Sequence, residues 1–83
     1  MTMTEIPKAL LTVRSHKGYA RLLASSDFVQ NSDGCPQIID TIPRVKDIPS
    51  PYSFSNEDYV YSWRGQRVII RETAHKCYQV FAV

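Results

Sequence analysis

The last 25 residues constrain the fold of this chain more than any other stretch. Residues 59–83 are rich in β-branched and aromatic side chains, which favour strands. Two turn signals divide the stretch: Arg64-Gly65 suits a two-residue hairpin, and residues 73–76 suit a longer turn. The pattern therefore predicts a three-stranded antiparallel β-meander.

The two faces of this meander follow from its register, because side chains alternate across a strand. In the second hairpin the predicted register pairs Arg71 with Tyr78 and Glu72 with Cys77. One face is then apolar and aromatic and should form the core, whereas the other mixes apolar residues with arginines. The predicted core face holds Tyr59, Tyr61, Trp63, Val68, Ile70, Cys77, Phe81 and Val83. The second face holds Val60, Ser62, Arg67, Ile69, Arg71, Tyr78, Val80 and Ala82.

The N-terminal part of the chain predicts a helix over residues 16–26, with Ser15 as its N-cap. Apolar residues recur there at helical spacing, beginning at Tyr19 and Leu22. A β-hairpin over residues 9–24 is the alternative. The apolar run that precedes the helix is too short for periodicity to decide between strand and helix.

The middle of the chain is punctuated by turn formers and prolines. Asp33-Gly34 marks a turn, and residues 37–40 could form one short strand. Proline lacks an amide hydrogen and favours an extended predecessor, so the sequence predicts an irregular loop here. The prolines of this loop are Pro43, Pro49 and Pro51, and its apolar anchors are Ile42, Val45, Ile48, Tyr52 and Phe54.

These elements predict a single small α+β domain over residues 1–83. In this interpretation an N-terminal helix packs on the C-terminal three-stranded antiparallel meander, and the proline-rich irregular loop lies between them. The length of 83 residues is typical of one domain with a modest core.

The formal net charge of +2 conceals a segregation of charge along the chain. Residues 1–26 carry a net charge of +3, residues 27–58 carry −4, and residues 59–83 carry +3. No stretch approaches the ~20 apolar residues of a membrane span, and the N-terminus does not resemble a secretory signal. We therefore expect a cytoplasmic protein without membrane partners.

The cysteines and histidines predict neither a metal site nor a cofactor. Cys35 and Cys77 lack any CxxC spacing, so we expect buried reduced thiols, with a disulfide as the alternative. His75 lies two residues from Cys77, but this spacing matches no known zinc-ligand pattern.

The sequence also lacks the signatures of an enzyme. It contains no nucleophile elbow, phosphate loop or glycine-rich dinucleotide fingerprint. Glu57 and Asp58 are adjacent, so they cannot form a glycosidase-like carboxylate pair. We therefore expect a protein that works by binding.

The second face of the meander is the predicted functional site, and three interpretations of it stay open. The proline-rich loop covers it, with Asp40 and Asp47 neutralising Arg67 and Arg71; or it binds a protein; or it binds nucleic acid. The predicted partner-binding residues are Arg64, Arg67, Ile69, Arg71, Tyr78 and Val80.

The first functional expectation is a non-enzymatic interaction protein that binds and inhibits a larger macromolecule. Small inhibitors encoded by phages and mobile elements, such as anti-CRISPR proteins, are of this type, and the comparison is by type only. A strand at the edge of the sheet could also pair two copies into a homodimer. The alternative function is nucleic-acid binding by the basic sheet face, with His16, Lys17 and Arg21 as phosphate contacts.

Overall fold

A five-stranded antiparallel sheet forms most of the protein in a computed structural model that describes residues 7–48 and 55–83. Pro49, Pro51, Tyr52 and Phe54 of the predicted loop lie outside the described residues. The sheet order is β1-β5-β4-β3-β2. The elements are β1 (Leu11–Val13), α1 (His16–Leu23), β2 (Ile38–Pro43), β3 (Glu57–Trp63), β4 (Gln66–Ala74) and β5 (Cys77–Ala82).

The predicted fold class is wrong, because the sheet has five strands rather than three. The short apolar run before the helix forms β1 and pairs with β5. Residues 38–43, which the prediction left largely in an irregular loop, form β2 and pair with β3. An isolated meander has two edges with unpaired backbone groups, and these two extra strands satisfy them. The single described helix is eight residues long and does not define the architecture.

Helix α1 begins as predicted, with Ser15 as its N-cap. The Ser15 hydroxyl accepts a hydrogen bond of 2.9 Å from the Gly18 amide. The helix ends at Leu23, three residues before its predicted end, and its buried residue is Leu22. The alternative hairpin over residues 9–24 is not formed, because β1 pairs with the last strand instead.

The first hairpin has the predicted register, with Trp63 opposite Gln66 and Tyr61 opposite Val68. Arg64 and Gly65 both have positive φ, 49° and 78°, as a type I′ turn requires. This turn twists in the same sense as its strands and so fixes their pairing.

The second hairpin differs from the prediction by one residue. Its turn is only two residues long, with Ala74 opposite Cys77, and Glu72 lies opposite Tyr78 rather than Cys77. A register shift between Glu72 and Ala74 makes room for Thr73, as in a β-bulge. Every side chain of β5 therefore points to the face opposite the predicted one.

The sheet is covered on both faces. We call one the helix face, formed by Tyr61, Trp63, Val68, Ile70 and Val80 and packed against Leu22 and Phe28. We call the other the loop face, formed by Val60, Ile69, Arg71 and Phe81 and packed against Val45 and Ile48.

Five residues that were predicted to lie in the core or to be buried differ from that prediction. Tyr59 and Val83, assigned to the core, are exposed, and Phe81 is buried on the loop face rather than with Trp63. Both cysteines are free thiols, but Cys35 is exposed and Cys77 only partly buried. Within the described ranges no helix combines the length and the apolar character that a bilayer crossing requires.

Candidate functional site

The predicted partner-binding residues do not form one surface. Arg67 and Arg71 lie on the loop face, whereas Tyr78 and Val80 lie on the helix face and Arg64 lies in the first turn. The bulge at residues 72–74 causes this separation, since it inverts the faces of β5. Ile69, Arg71, Tyr78 and Val80 are also buried. The predicted set therefore offers only Arg64 and Arg67 to a partner.

Arg71 is held inside the protein by the chain itself. Its side chain is 3% exposed, and its guanidinium donates from Nε and Nη2 to the two carboxylate oxygens of Asp58. It also donates to the carbonyls of Ile48, at 3.0 Å, and Val45, at 3.1 Å. Asp58 in turn accepts the Val45 amide at 2.8 Å. These hydrogen bonds of Arg71 and Asp58 hold residues 45–48 against the loop face, so Arg71 is a structural residue.

The loop face thus matches the first of the three interpretations in part. Residues 45–48 cover it, and Arg67 pairs with Asp40 as that interpretation expects. Arg71 pairs with Asp58 instead of Asp47. Strand alternation places Asp58 on the same face as Val60, and this signal in the sequence could have identified the true partner.

The other two arginines of the meander are paired at the surface. Arg64 donates from Nε to Asp27 at 3.1 Å, and its guanidinium lies 4.5 Å above the ring of the buried Trp63. Arg67 donates to Asp40 at 2.7 Å. This hydrogen bond, followed by one from the Thr41 amide, lowers the pKa of Asp40 below its ordinary value. The acidic middle of the chain therefore neutralises the C-terminal arginines internally.

The predicted phosphate contacts lie together on α1. Lys17 and Arg21 are exposed and one helical turn apart. His16 shares a hydrogen bond of 2.8 Å between its Nδ1 and the Tyr78 Oη. The Gly18 amide at the helix start is already occupied by Ser15. Within the described part of the chain, the ion pairs include neither Lys17 nor Arg21.

An aromatic patch beside α1 is the strongest candidate binding site. Its most accessible residues are Tyr59, 55% exposed, and Ile38, 48% exposed. Ile38 lies opposite Tyr61 in the sheet, and Tyr61 and Tyr59 share a face of β3. Tyr19 of α1 stacks on Tyr78 with ring centroids 4.0 Å apart and an interplanar angle of 8°. We call Tyr19, Ile38, Tyr59 and Tyr61 the tyrosine surface.

The hydroxyl groups of the tyrosine surface influence one another. Burial raises the pKa of Tyr61, and the neighbouring Tyr19 and Tyr59 raise it further. Burial and then the Glu72 carboxylate raise the pKa of Tyr19 and of Tyr78. These three phenols are therefore neutral at physiological pH. Of the three, Tyr19 and Tyr61 belong to the tyrosine surface and present apolar rings with polar tips, the combination that is enriched at protein interfaces.

This surface was not predicted from the sequence, because strand alternation assigned Tyr59 to the core face. Tyrosine is intermediate in burial preference, so the position of Tyr59 on the predicted core face did not by itself establish its burial. The helical spacing of Tyr19 and Leu22 did place Tyr19 toward the sheet, but the inverted faces of β5 concealed its contact with Tyr78.

Comparisons with protein-family models, with curated proteins and with solved structures find no match to this chain.

Proposed function

We propose that this chain is a non-enzymatic interaction protein that binds a larger protein partner through the tyrosine surface and inhibits that partner. The observation that carries the proposal is the exposure of Tyr59 and Ile38 beside the partly buried Tyr19 and Tyr61. Tyrosine dominates interface energetics because it buries a large rigid ring and keeps a hydroxyl for hydrogen bonding.

The surroundings of the tyrosine surface suit a protein interface with an acidic rim on the partner. Helix α1 presents Lys17 and Arg21 on the side away from the sheet, since both lie about half a turn around the helix from Tyr19. An apolar and aromatic centre with charged residues at its margin is the usual anatomy of a protein interface. Inhibition would follow from covering part of the partner's surface.

Nucleic-acid binding by the basic sheet face has less support. Arg64, Arg67 and Arg71 each pair with an aspartate, so these cations would have to exchange an internal carboxylate for a phosphate. Affinity for a polyanion depends on the number of phosphates that free cations neutralise. The cytoplasmic location, the phage-type origin and the homodimer expected from the sequence remain predictions.

Site-specific photocrosslinking tests the proposed surface. The full chain carries a benzophenone amino acid at Tyr59 and is mixed with lysate of its native host, in parallel with and without nuclease treatment. We expect a discrete protein adduct from this position. The matched control carries the same group at Lys46, which is exposed on the segment covering the loop face, and should give no adduct.

The partner identified in this way then allows a quantitative test. Tyr59→Ala should weaken its binding by about tenfold or more, which is a hot-spot effect, whereas Lys46→Ala should leave binding unchanged. Equal loss in both variants, adduct formation at both positions, or capture that disappears with nuclease would each overturn the proposal.

A further inference from the structure

The two edge strands of the sheet, β1 and β2, differ in how well they are protected against pairing with another chain. At the β2 edge a register shift lies between Ile38 and Asp40, and the Thr41 amide donates to the Asp40 carboxylate at 2.8 Å. Pro43 ends this strand. A bulge, a charged residue and a terminal proline are the devices by which proteins prevent an edge strand from pairing with another chain.

β1 is protected by its length of only three residues, but it contains no bulge, charged residue or proline. Leu11, Thr12 and Val13 pair with β5 in continuous register, and none of the three is charged or a proline. The Thr12 hydroxyl accepts a hydrogen bond of 3.0 Å from Gln79, and Leu11 and Val13 pack against the helix-face core. The strand is therefore anchored through its side chains, while alternate backbone groups point outward from an antiparallel edge.

Charge distinguishes the strand that this edge would accept. Lys8 and Arg14 flank β1 on either side, and both are exposed. The ion pairs of the described residues include neither of them. Lys8 lies three residues before Leu11, and Arg14 directly follows Val13. Leu10, 42% exposed, adds an apolar contact beside the edge.

We infer that the β1 edge binds an extended segment of a partner protein by strand addition, and that this segment is apolar or β-branched at its centre and acidic at both ends. Backbone hydrogen bonds would supply affinity, and Lys8 and Arg14 would select the acidic ends. β1, Lys8 and Arg14 do not belong to the tyrosine surface, so the inference does not depend on the proposed function.

Peptide binding followed by NMR tests this inference directly. The probe is a seven-residue peptide of alternating valine and threonine with glutamate at both ends, and the control has lysine at both ends. We expect the acidic peptide to shift the amide signals of residues 10–14 and to protect the Thr12 amide from exchange. The lysine-ended peptide should do neither.

Charge reversal provides the decisive arm, because it leaves β1 itself unchanged. Lys8→Glu with Arg14→Glu should weaken binding of the acidic peptide by about tenfold or more and allow the lysine-ended peptide to bind. The matched control, Lys46→Glu, should preserve the original preference. Equal binding of both peptides, signal shifts confined to residues 38–43, self-association of the chain through β1, or no binding would each overturn the inference.

Discussion

The two faces of the sheet are covered in different ways. On the loop face the cover is residues 45–48, which have no regular structure, and the buried Arg71 is hydrogen-bonded to two of their carbonyls. On the helix face the cover is α1, which forms hydrogen bonds within its own backbone and packs through Leu22. Buried backbone groups must find partners, so an irregular cover needs a side chain to supply them and a helix does not.

The largest expected effect tests the dependence of the loop face on Arg71. Arg71→Met should lower the free energy of unfolding by about 3–5 kcal/mol, because it leaves the Asp58 carboxylate buried without its cation. Urea denaturation monitored by circular dichroism measures this loss. A loss below about 1 kcal/mol would show that the cover does not depend on the ion pair.

A second variant separates the ion pair from the packing around it. Combining Arg71→Met with Asp58→Asn should recover part of the lost stability. The side-chain oxygen that this second substitution introduces can still accept the hydrogen bond from the Val45 backbone amide, but it carries no charge. If the double variant is no more stable than Arg71→Met, the loss of stability comes instead from the two carbonyls, of Ile48 and Val45, that accept hydrogen bonds from Arg71.

An intermediate effect tests how closely α1 packs on β1. Alanine normally stabilises a helix by about 1 kcal/mol relative to glycine. At Gly18 a Cβ would lie 2.5 Å from the Val13 Cγ1, so Gly18→Ala should destabilise the protein by about 1–3 kcal/mol. In a Val13→Ala background, where this methyl group is absent, the same substitution should cost less. Equal costs in both backgrounds would contradict the close approach.

A smaller effect concerns the tyrosines of the helix face at alkaline pH. Burial raises the pKa values of Tyr19 and Tyr61 in the folded state. The unfolded chain therefore loses these protons first, and the free energy of unfolding should fall as the pH rises above about 10. Urea denaturation at about pH 9 and about pH 11 should show a smaller fall for Tyr19→Phe with Tyr61→Phe. If the free energy of unfolding falls by the same amount in this double variant, groups other than Tyr19 and Tyr61 cause the fall.

The smallest effect should come from the second arginine of the loop face. Arg67 lies four residues before Arg71, but its ion pair with Asp40 is about half exposed on both sides. Arg67→Met should therefore change stability near the limit of detection, and added salt should remove what remains. Any contribution should also disappear as the pH falls through the lowered pKa of Asp40. A loss comparable with that of Arg71→Met would contradict the contrast.

Local signals predicted part of the local structure in this chain, although they missed the bulge in the second hairpin. The Ser15 cap and the Arg64-Gly65 turn each depend on a few neighbouring residues, and both have the predicted geometry. Pairing between distant segments was missed, because β1 joins β5 across more than 60 residues. The burial of Arg71 was not predicted for the same reason, because it depends on a distant segment that crosses the sheet.

Thr73, the extra residue at the bulge, determines which side chains of β5 point to each face of the sheet. With Thr73 in place, Val80 reaches the core under α1 and Phe81 reaches the core on the opposite side. Deletion of Thr73 would shift the register of β5 by one residue, so each of its side chains would point to the opposite face although the sequence of β5 would be unchanged. Over evolutionary time this hairpin should therefore accept many exchanges of amino acid but almost no change in length.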